Sequence, residues 1–391
     1  MNDLKRQLRV EAERIEPARD GFERTLARVG RIRRRERLLA GGVAFVFAGF
    51  VVGTAMVMLR HQSVAPPPVR PGTQTASPAE TTLSGSAVAA ALSDGDIWVV
   101  TCDPCGAIRA GDVGHVDAAS GRVLTSTAVQ APYGLAVAEQ AVWVISGDAS
   151  LIRIDPANGQ VTSTTQLQLP EALDPGDGRF LPLAVAAGEG AVWVTSGRGA
   201  LARIAPATNE VSGVTSLPGD TTGSVVVGEG RVVVAENVLG IFGIDPMTGD
   251  VTSRVPIARG DERLAVDSIA AGGGSIWVTG NWTRPNPGQS TPDYIDWTPT
   301  GEAGLVRLDP RTLAPLEFYP YDEHQRIFYQ ERAVWAVSAN DRAVSRTDPE
   351  TGQVSAPVTI PPSQHFLGVA AREILTLDEE GNLHRIPAPS S

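Results

Sequence analysis

The chain has 391 residues with 41 glycines and 29 prolines, a density that together with a Val, Ile and Thr bias excludes a helical solenoid. Its formal net charge is −11, and beyond residue 60 there are 20 basic against 37 acidic groups, which argues against a nucleic-acid partner, since phosphate binding needs clustered positive charge. Residues 1–60 run the other way, with 13 basic and 7 acidic groups.

Residues 1–37 read as a short helical cytoplasmic segment. Leu4, Leu8 and Ile15 fall near one face of a first helix that Pro17 ends. Asp20 is placed to cap a second helix carrying Phe22, Leu26 and Val29. Two roles stay open for residues 1–36: a juxtamembrane stalk, or a docking element for a cytoplasmic partner. Residues 38–59, from Leu38 to Leu59, are 22 in number and carry no charge. As a helix they span roughly 33 Å, enough to cross a lipid bilayer, so a single transmembrane helix is expected. Arg31, Arg33, Arg34, Arg35 and Arg37 precede it, and only Arg60 and His61 follow directly. That asymmetry orients the N-terminus to the cytoplasm and the bulk of the chain outside the plasma membrane. A cleaved signal peptide would have a shorter leader and a shorter apolar core, and Pro66 directly after Ser63-Val64-Ala65 disfavours cutting. The layout of short cytoplasmic helices, one span and a large outer domain resembles that of membrane-bound anti-sigma factors. The His-x-x-x-Cys-x-x-Cys motif that many of those carry is missing from residues 1–36. Residues 60–82 are rich in Pro, Ser and Thr and read as a linker.

From residue 83 to residue 387 the chain repeats itself. An apolar strand of the type "VWV" is followed by "LxRIDPxTGxV", as in "AVWVISGDASLIRIDPANGQV" and "AVWVTSGRGALARIAPATNEV". The strand centres are Trp98, Trp143, Trp193, Val233, Trp277, Trp335 and Leu375, at spacings of 45, 50, 40, 44, 58 and 40 residues. A period near 43 residues built from short β-rich runs is a propeller period. The fold class is therefore all-β: a seven-bladed β-propeller, preceded by the transmembrane helix and the cytoplasmic segment, with residues 388–391 as a tail. In the second repeat "GLAVAE" is the inner strand, "AVWVIS" the second, "LIRID" the third and "QVTSTTQL" the outer. The seventh repeat ends after its third strand, so its outer strand is expected from the chain around Thr81–Ser86, which would staple the ring and remove an open edge.

These repeats resemble the YVTN-type repeat of bacterial β-propellers and the repeats of streptogramin lyases, the virginiamycin B lyase-like group. They differ from WD40 repeats, because the Trp lies in the second strand and no Trp-Asp pair ends the third. The resemblance implies the fold. The lyases would also imply a histidine base and a metal held by Glu and His. His115, His324, His365 and His384 are available, but no Glu-x-His arrangement matches, and Glu323 and His324 are adjacent, so in a strand they point oppositely. No nucleophile elbow, zinc-protease helix or phosphate loop is present, and neither a cofactor nor a metal is expected.

The long excursions from the repeat are 102–112, 169–182, 281–304 and 318–327, all expected on one face. Variable loops on a rigid scaffold are the usual carriers of binding. The stretch from Trp282 to Tyr329 concentrates aromatic residues. Trp282, Tyr294, Trp297, Tyr319, Tyr321 and His324 are the candidates for contacting a protein or small ligand, and packing of the loop onto the rim is the competing reading. Cys102 and Cys105, the only cysteines, are expected to form a loop disulfide outside the cytoplasm. Asp174 and Asp177 in "LDPGDG" lack the ligand count of a calcium loop. Arg153, Arg203, Arg307, Arg346 and Arg385 recur in third strands, with His115 in the matching place, and read as structural.

Overall fold

The computed structural model describes residues 83, 85–93, 95–102, 110–168, 182–196, 199–217, 221–236, 240–287, 296–321, 325–338 and 342–389. The cytoplasmic, transmembrane and linker readings fall on residues 1–82, outside this set. The described strands belong to one compact unit, Ser77–Ser391, and form seven antiparallel sheets that make a seven-bladed β-propeller.

Blade 1 holds β1 (Ser86–Ser93), β2 (Asp96–Cys102), β3 (Ala110–Asp117) and β4 (Val123–Gln130). Blade 2 holds β5 (Pro132–Ala138), β6 (Ala141–Ser146), β7 (Ser150–Ile154) and β8 (Val161–Gln166). Blade 3 holds β9 (Pro182–Gly188), β10 (Ala191–Ser196), β11 (Ala200–Ala205) and β12 (Glu210–Ser216). Blade 4 holds β13 (Thr221–Gly228), β14 (Arg231–Glu236), β15 (Gly240–Ile244) and β16 (Val251–Val255). Blade 5 has five strands: β17 (Ala258–Arg259), β18 (Glu262–Ala271), β19 (Ile276–Pro285), β20 (Trp297–Leu308) and β21 (Pro315–Tyr321). Blade 6 holds β22 (Gln325–Gln330), β23 (Ala333–Ser338), β24 (Ala343–Thr347) and β25 (Val358–Thr359). Blade 7 has β26 (Gln364–Ala370), β27 (Glu373–Asp378) and β28 (Leu383–Pro387). The ring closes where β26 lies against β1.

Every strand centre read from the repeat falls in a second strand. Those strands are apolar on both faces because each is sandwiched between neighbouring blades; β6, β10 and β23 are buried along their whole length. The repeated tryptophans fill the seams. Trp143 packs against Val192 and Val194 of blade 3, and Trp193 against Val232 and Val234 of blade 4. The repeated arginine lies across its own blade's tryptophan: Arg153 over Trp143, Arg203 over Trp193 and Arg307 over Trp277, each 5.5–5.7 Å from the ring centroid. It then reaches the next blade. Arg203 and Arg307 donate to the carbonyls of Pro246 and Pro349, and Arg385 to those of Ala118 and Ala119. His115 stacks flat on Trp98 at 4.1 Å and pairs with Asp96 at 2.8 Å.

The third-to-outer turns share one geometry. The aspartate that opens the turn accepts backbone N–H groups two and three residues on, as Asp245, Asp309 and Asp348 do. The fifth residue is left-handed: Gly121, Gly159, Asn209, Gly249, Leu313 and Gly352, with φ between 60° and 81°. The aspartate's bonds hold Asp309 and Asp348 below the usual carboxylate range, led by the N–H groups of Thr312 and Thr351.

Two expectations need correction. Among the described residues blade 7 has three strands. Ser86 opens the inner strand of blade 1, and Leu83 is a buried seam residue packed with Ile97, Val116 and Leu375. Ser86 is therefore not part of an outer strand of blade 7, and Thr81, Thr82 and Ser84 lie outside the described residues. Second, 281–304 and 318–327 are only partly excursions. Residues 281–285 and 297–304 lengthen β19 and β20, and 318–321 complete the outer strand β21.

Candidate partner-binding face

Antiparallel order places the first-hairpin turns and third-to-outer turns at one end of the ring. The second-to-third connections and the links between blades lie at the other. The first end is regular. Its first hairpins turn through two residues of positive φ, such as Glu139-Gln140 and Glu189-Gly190. The carboxylates of Glu139, Glu189 and Glu229 each accept a backbone N–H from the next blade's turn, at Gly190, Gly230 and Gly274. Glu331 does the same for Ala371 and Arg372. Between blades 5 and 6 the ring of Tyr329 lies on Gly272 and Gly273, where any Cβ would overlap it.

The opposite end carries the irregularity. The strands that flank the excursions, Cys102 and Ala110, Gln166 and Pro182, Pro285 and Trp297, Tyr321 and Gln325, all end there. Blade 5 stands above its neighbours. β6 ends three residues past Trp143, whereas β19 ends eight past Trp277. Five further residues at about 3.3 Å each raise this crown by roughly 16 Å.

The crown is organised around Trp282. Its indole is buried in the core cluster with Leu264, Val266 and Ile257, packs on Phe318 at 5.7 Å, and is covered by the Arg259 guanidinium at 4.3 Å. Gly304 is required beneath it, since a Cβ there would stand 2.6 Å from Nε1. Arg259 bonds Glu262 at 2.6 Å and also Glu302, while Arg284 bonds Glu262 at 2.8 Å. Hydrogen bonds from Arg259 and then Arg284 hold the Glu262 carboxyl below its usual range. Arg284 and Glu302 remain mostly exposed. Sequence reasoning missed these four charges; the dense "ARGDER" turn at 258–263 signalled only Arg259 and Glu262.

The aromatic candidates separate by burial. Trp282, Tyr319 and Tyr321 are 2 %, 8 % and 7 % exposed, so they are packing residues, not free recognition surface. Tyr319 stacks on Trp277 at 6.2 Å and bonds Glu317, and burial, reinforced by Glu317, pushes its phenol up to about 12. Tyr321 bonds Thr347, and burial raises its phenol too. Trp297, half-buried at the tip of the crown opposite Pro285, and Phe318, 43 % exposed, keep aromatic surface accessible. Tyr294, His324 and Cys105 lie outside the described residues. Cys102 is buried and disulfide-bonded. His115 and His384 are held by Asp96 and Asp378 in their own blades.

Two cavities lie away from the crown. One of about 310 Å³ sits among the inner strands of blades 1, 6 and 7, beside Leu92, Phe328, Gln330, Phe366 and Gly368. The other, of about 340 Å³, lies at the regular end between blades 4 and 5, beside Arg231, Thr252 and Arg311. It opens where blade 4 has Val233 and Gly243 in the places of the Trp–Arg pair.

No protein-family model matches the chain, and no curated protein sequence matches it. Solved structures do. The WD40 domain of Pan2 from Neurospora crassa is similar at 10 % identity over 78 % of this chain and 90 % of that one, with a TM-score of 0.55. Hydrazine synthase from Kuenenia stuttgartiensis is similar at 14 % identity over 81 % and 99 %, also at 0.55. BamB from Moraxella catarrhalis is similar at 12 % identity over 76 % and 82 %, at 0.46. At these identities the likeness is one of fold.

Proposed function

We propose that the chain is a single-pass plasma-membrane protein that presents its propeller outside the cytoplasm and binds a protein partner through the irregular face, with the blade 5 crown as the principal contact. Residues 1–36 then dock a partner inside, so that the protein acts as a sensor or regulator. The membrane reading rests on the uncharged run 38–59 and the arginines before it. The binding reading rests on one observation: the two ends of the ring differ. One is built of uniform turns, with carboxylates of Glu139, Glu189, Glu229 and Glu331 tying four of its seams. The other gathers the excursions and a raised, charged crown with accessible aromatic surface. A protein partner suits an extended surface of Arg, Glu and aromatic groups better than a small ligand does. The YVTN-type and streptogramin-lyase-like resemblance is kept as a proposal about ancestry, and no site observation among the described residues favours lyase chemistry.

The test is affinity capture with the full-length protein from solubilised membranes, comparing the unaltered chain with Arg284→Glu, Trp297→Ala and the regular-end control Met247→Glu. The expected result is a protein co-captured with the unaltered chain and the control but lost with the crown variants. Equal capture by all, or recovery of the chain in the soluble fraction, overturns the reading.

A further inference from the structure

Five arginines lie over aromatic rings among the described residues, and one differs from the rest. Arg153, Arg203, Arg254 and Arg307 stand 5.5–5.7 Å from the centroid of the ring they cover. Arg203 and Arg307 also tie down the next blade, through the carbonyls of Pro246 and Pro349. Arg259 is centred more closely, at 4.3 Å over Trp282. Among the described residues its guanidinium bonds Glu262 and Glu302, both of its own blade, and it ties down no neighbouring turn.

This guanidinium is fixed from several directions. Arg259 stands opposite Glu262 in the short hairpin of β17 and β18. Ile257 and Leu264 anchor that hairpin; both are fully buried, and the Leu264 N–H bonds the Ile257 carbonyl at 2.9 Å. The Trp282 indole supports one face of the guanidinium and is itself locked in the core cluster shared with blade 4. Glu262 takes the Nε–H at 2.6 Å and Glu302 takes a hydrogen of Nη2, so two carboxylates set its plane. The side chain is nevertheless 40 % exposed. With one face on the indole, the open surface is the opposite face and part of the edge. Phe318 packs on the same indole at 5.7 Å and adds accessible apolar surface beside it.

An immobilised flat cation of this kind selects its occupant. A carboxylate or phosphate binds a guanidinium in its plane, where an incoming anion would meet the charges of Glu262 and Glu302. An aliphatic group laid on the face would desolvate the cation and return no electrostatic gain. An aromatic ring brings the negative face of its quadrupole to the cation, while the two in-plane carboxylates go on satisfying the N–H groups. Because Arg259 is already held, little of its rotamer freedom remains to be lost on binding.

We propose that the open face of Arg259 is the seat for an aromatic side chain of the protein partner, a Trp, Tyr or Phe that closes a ring–cation–ring sandwich with Trp282. This gives the chemistry at the centre of the crown contact, and it rests on the partner reading above. It does not depend on the membrane reading.

The test uses the full-length protein in detergent, labelled isotopically at arginine and tryptophan nitrogens. The probes are N-acetyltryptophanamide and, as its aliphatic counterpart, N-acetylleucinamide. The Nε–H resonance of Arg259, identified by its loss in Arg259→Lys, is expected to move upfield under the ring current as the aromatic amide is added. The aliphatic amide should leave it in place. In affinity capture, Arg259→Gln is expected to lower recovery of the co-captured protein by about tenfold, because a neutral amide supplies no cation–π attraction. An unshifted Trp282 indole N–H in that variant shows that the crown keeps its packing. Excess N-acetyltryptophanamide is expected to release the captured protein from the unaltered chain. Equal shifts with both amides, or no shift with either up to its solubility limit, overturns the proposal. So does capture that responds to neither Arg259→Gln nor the aromatic amide. A shift with the aromatic amide alone, but no protein captured by the unaltered chain, would sink the partner reading and leave the aromatic seat standing.

Discussion

Arg203 lies across the ring of Trp193, 5.7 Å from its centroid, and donates Nε–H to the carbonyl of Pro246 in the next blade at 3.3 Å. One side chain thus covers the indole of its own blade and ties down the turn of its neighbour. Its other hydrogen bond, to Ser212, stays within the blade. Arg203→Ala is expected to destabilise by about 1–2 kcal/mol, the sum of a partly exposed cation–π contact and one charged hydrogen bond. Arg203→Lys should recover little, since an ammonium cannot lie flat and donate sideways together. Thermal midpoints of the three proteins check this; a Lys variant equal to the unaltered chain would show the planar fork to be unnecessary.

Blade 4 solves the same problem with different residues. Val233 stands for the tryptophan and Gly243 for the arginine, and both losses are offset. Arg231, two positions before Val233, sends its guanidinium to the Arg311 carbonyl and to Thr252. Leu313, fully buried, replaces the glycine of the next turn and fills the space above Gly243, where a Cβ would meet its Cδ1 at 2.8 Å. Leu313 holds φ at 60°, a conformation that suits glycine. Leu313→Gly is therefore expected to relieve about 1 kcal/mol of strain and lose about 2–4 kcal/mol of burial, a net destabilisation. The triple change Val233→Trp, Gly243→Arg, Leu313→Gly should recover much of the loss by recreating the arrangement of blades 2 and 3. If the single variant is more stable than the original, the backbone term dominates and the packing account fails.

Tyr319 and Gly352 form the counterpart at the seam of blades 5 and 6. A Cβ on Gly352 would stand 2.1 Å from Cε1 of Tyr319, and Gly352 has φ of 68°. Gly352→Ala is expected to cost about 2–4 kcal/mol, combining left-handed strain with overpacking. In a Tyr319→Ala background only the strain should remain, so the cost should fall to about 1 kcal/mol. A double-mutant cycle by denaturant unfolding measures the difference.

The repeat was legible because it is written in residues that seams require: the indole, the arginine over it, and the Asp–Pro turn. Second strands were placed at Trp98, Trp143, Trp193, Val233, Trp277, Trp335 and Leu375, and all seven lie there. The blade 5 crown was not legible. "WTPTGEAG" at 297–304 is written in loop chemistry, yet it is strand because it pairs with residues 280–285 of β19. Aromatic residues looked like recognition surface because sequence shows type and not burial. Tyr319 stands where other blades carry a seam threonine, a role visible only once its pairing with Leu305 aligns it with Thr165 and Thr215. The seam contact of Leu83 was hidden in a different way, because it depends on a backbone approach to Gly381.

Asp378 supplies a pH dependence. Burial raises its carboxyl, but hydrogen bonds from His384 at 2.7 Å and from the Asn382 side chain and backbone outweigh it and hold the group at about 2. An aspartate whose folded value lies below its unfolded value of about 3.9 contributes stability that is complete above that value. The contribution is lost as pH falls from about 4 towards 2, because the unfolded chain takes up the proton first. The shift corresponds to roughly 2 kcal/mol. Asp378→Asn keeps one acceptor and most of the shape, so it should leave the fold intact while flattening the stability–pH curve over that interval. At pH 7 the variant should be the less stable protein, and near pH 2 the two should converge. Denaturation midpoints measured from pH 2 to pH 7 check this; parallel curves for the two proteins would show that Asp378 is not ionised with a depressed value in the folded state.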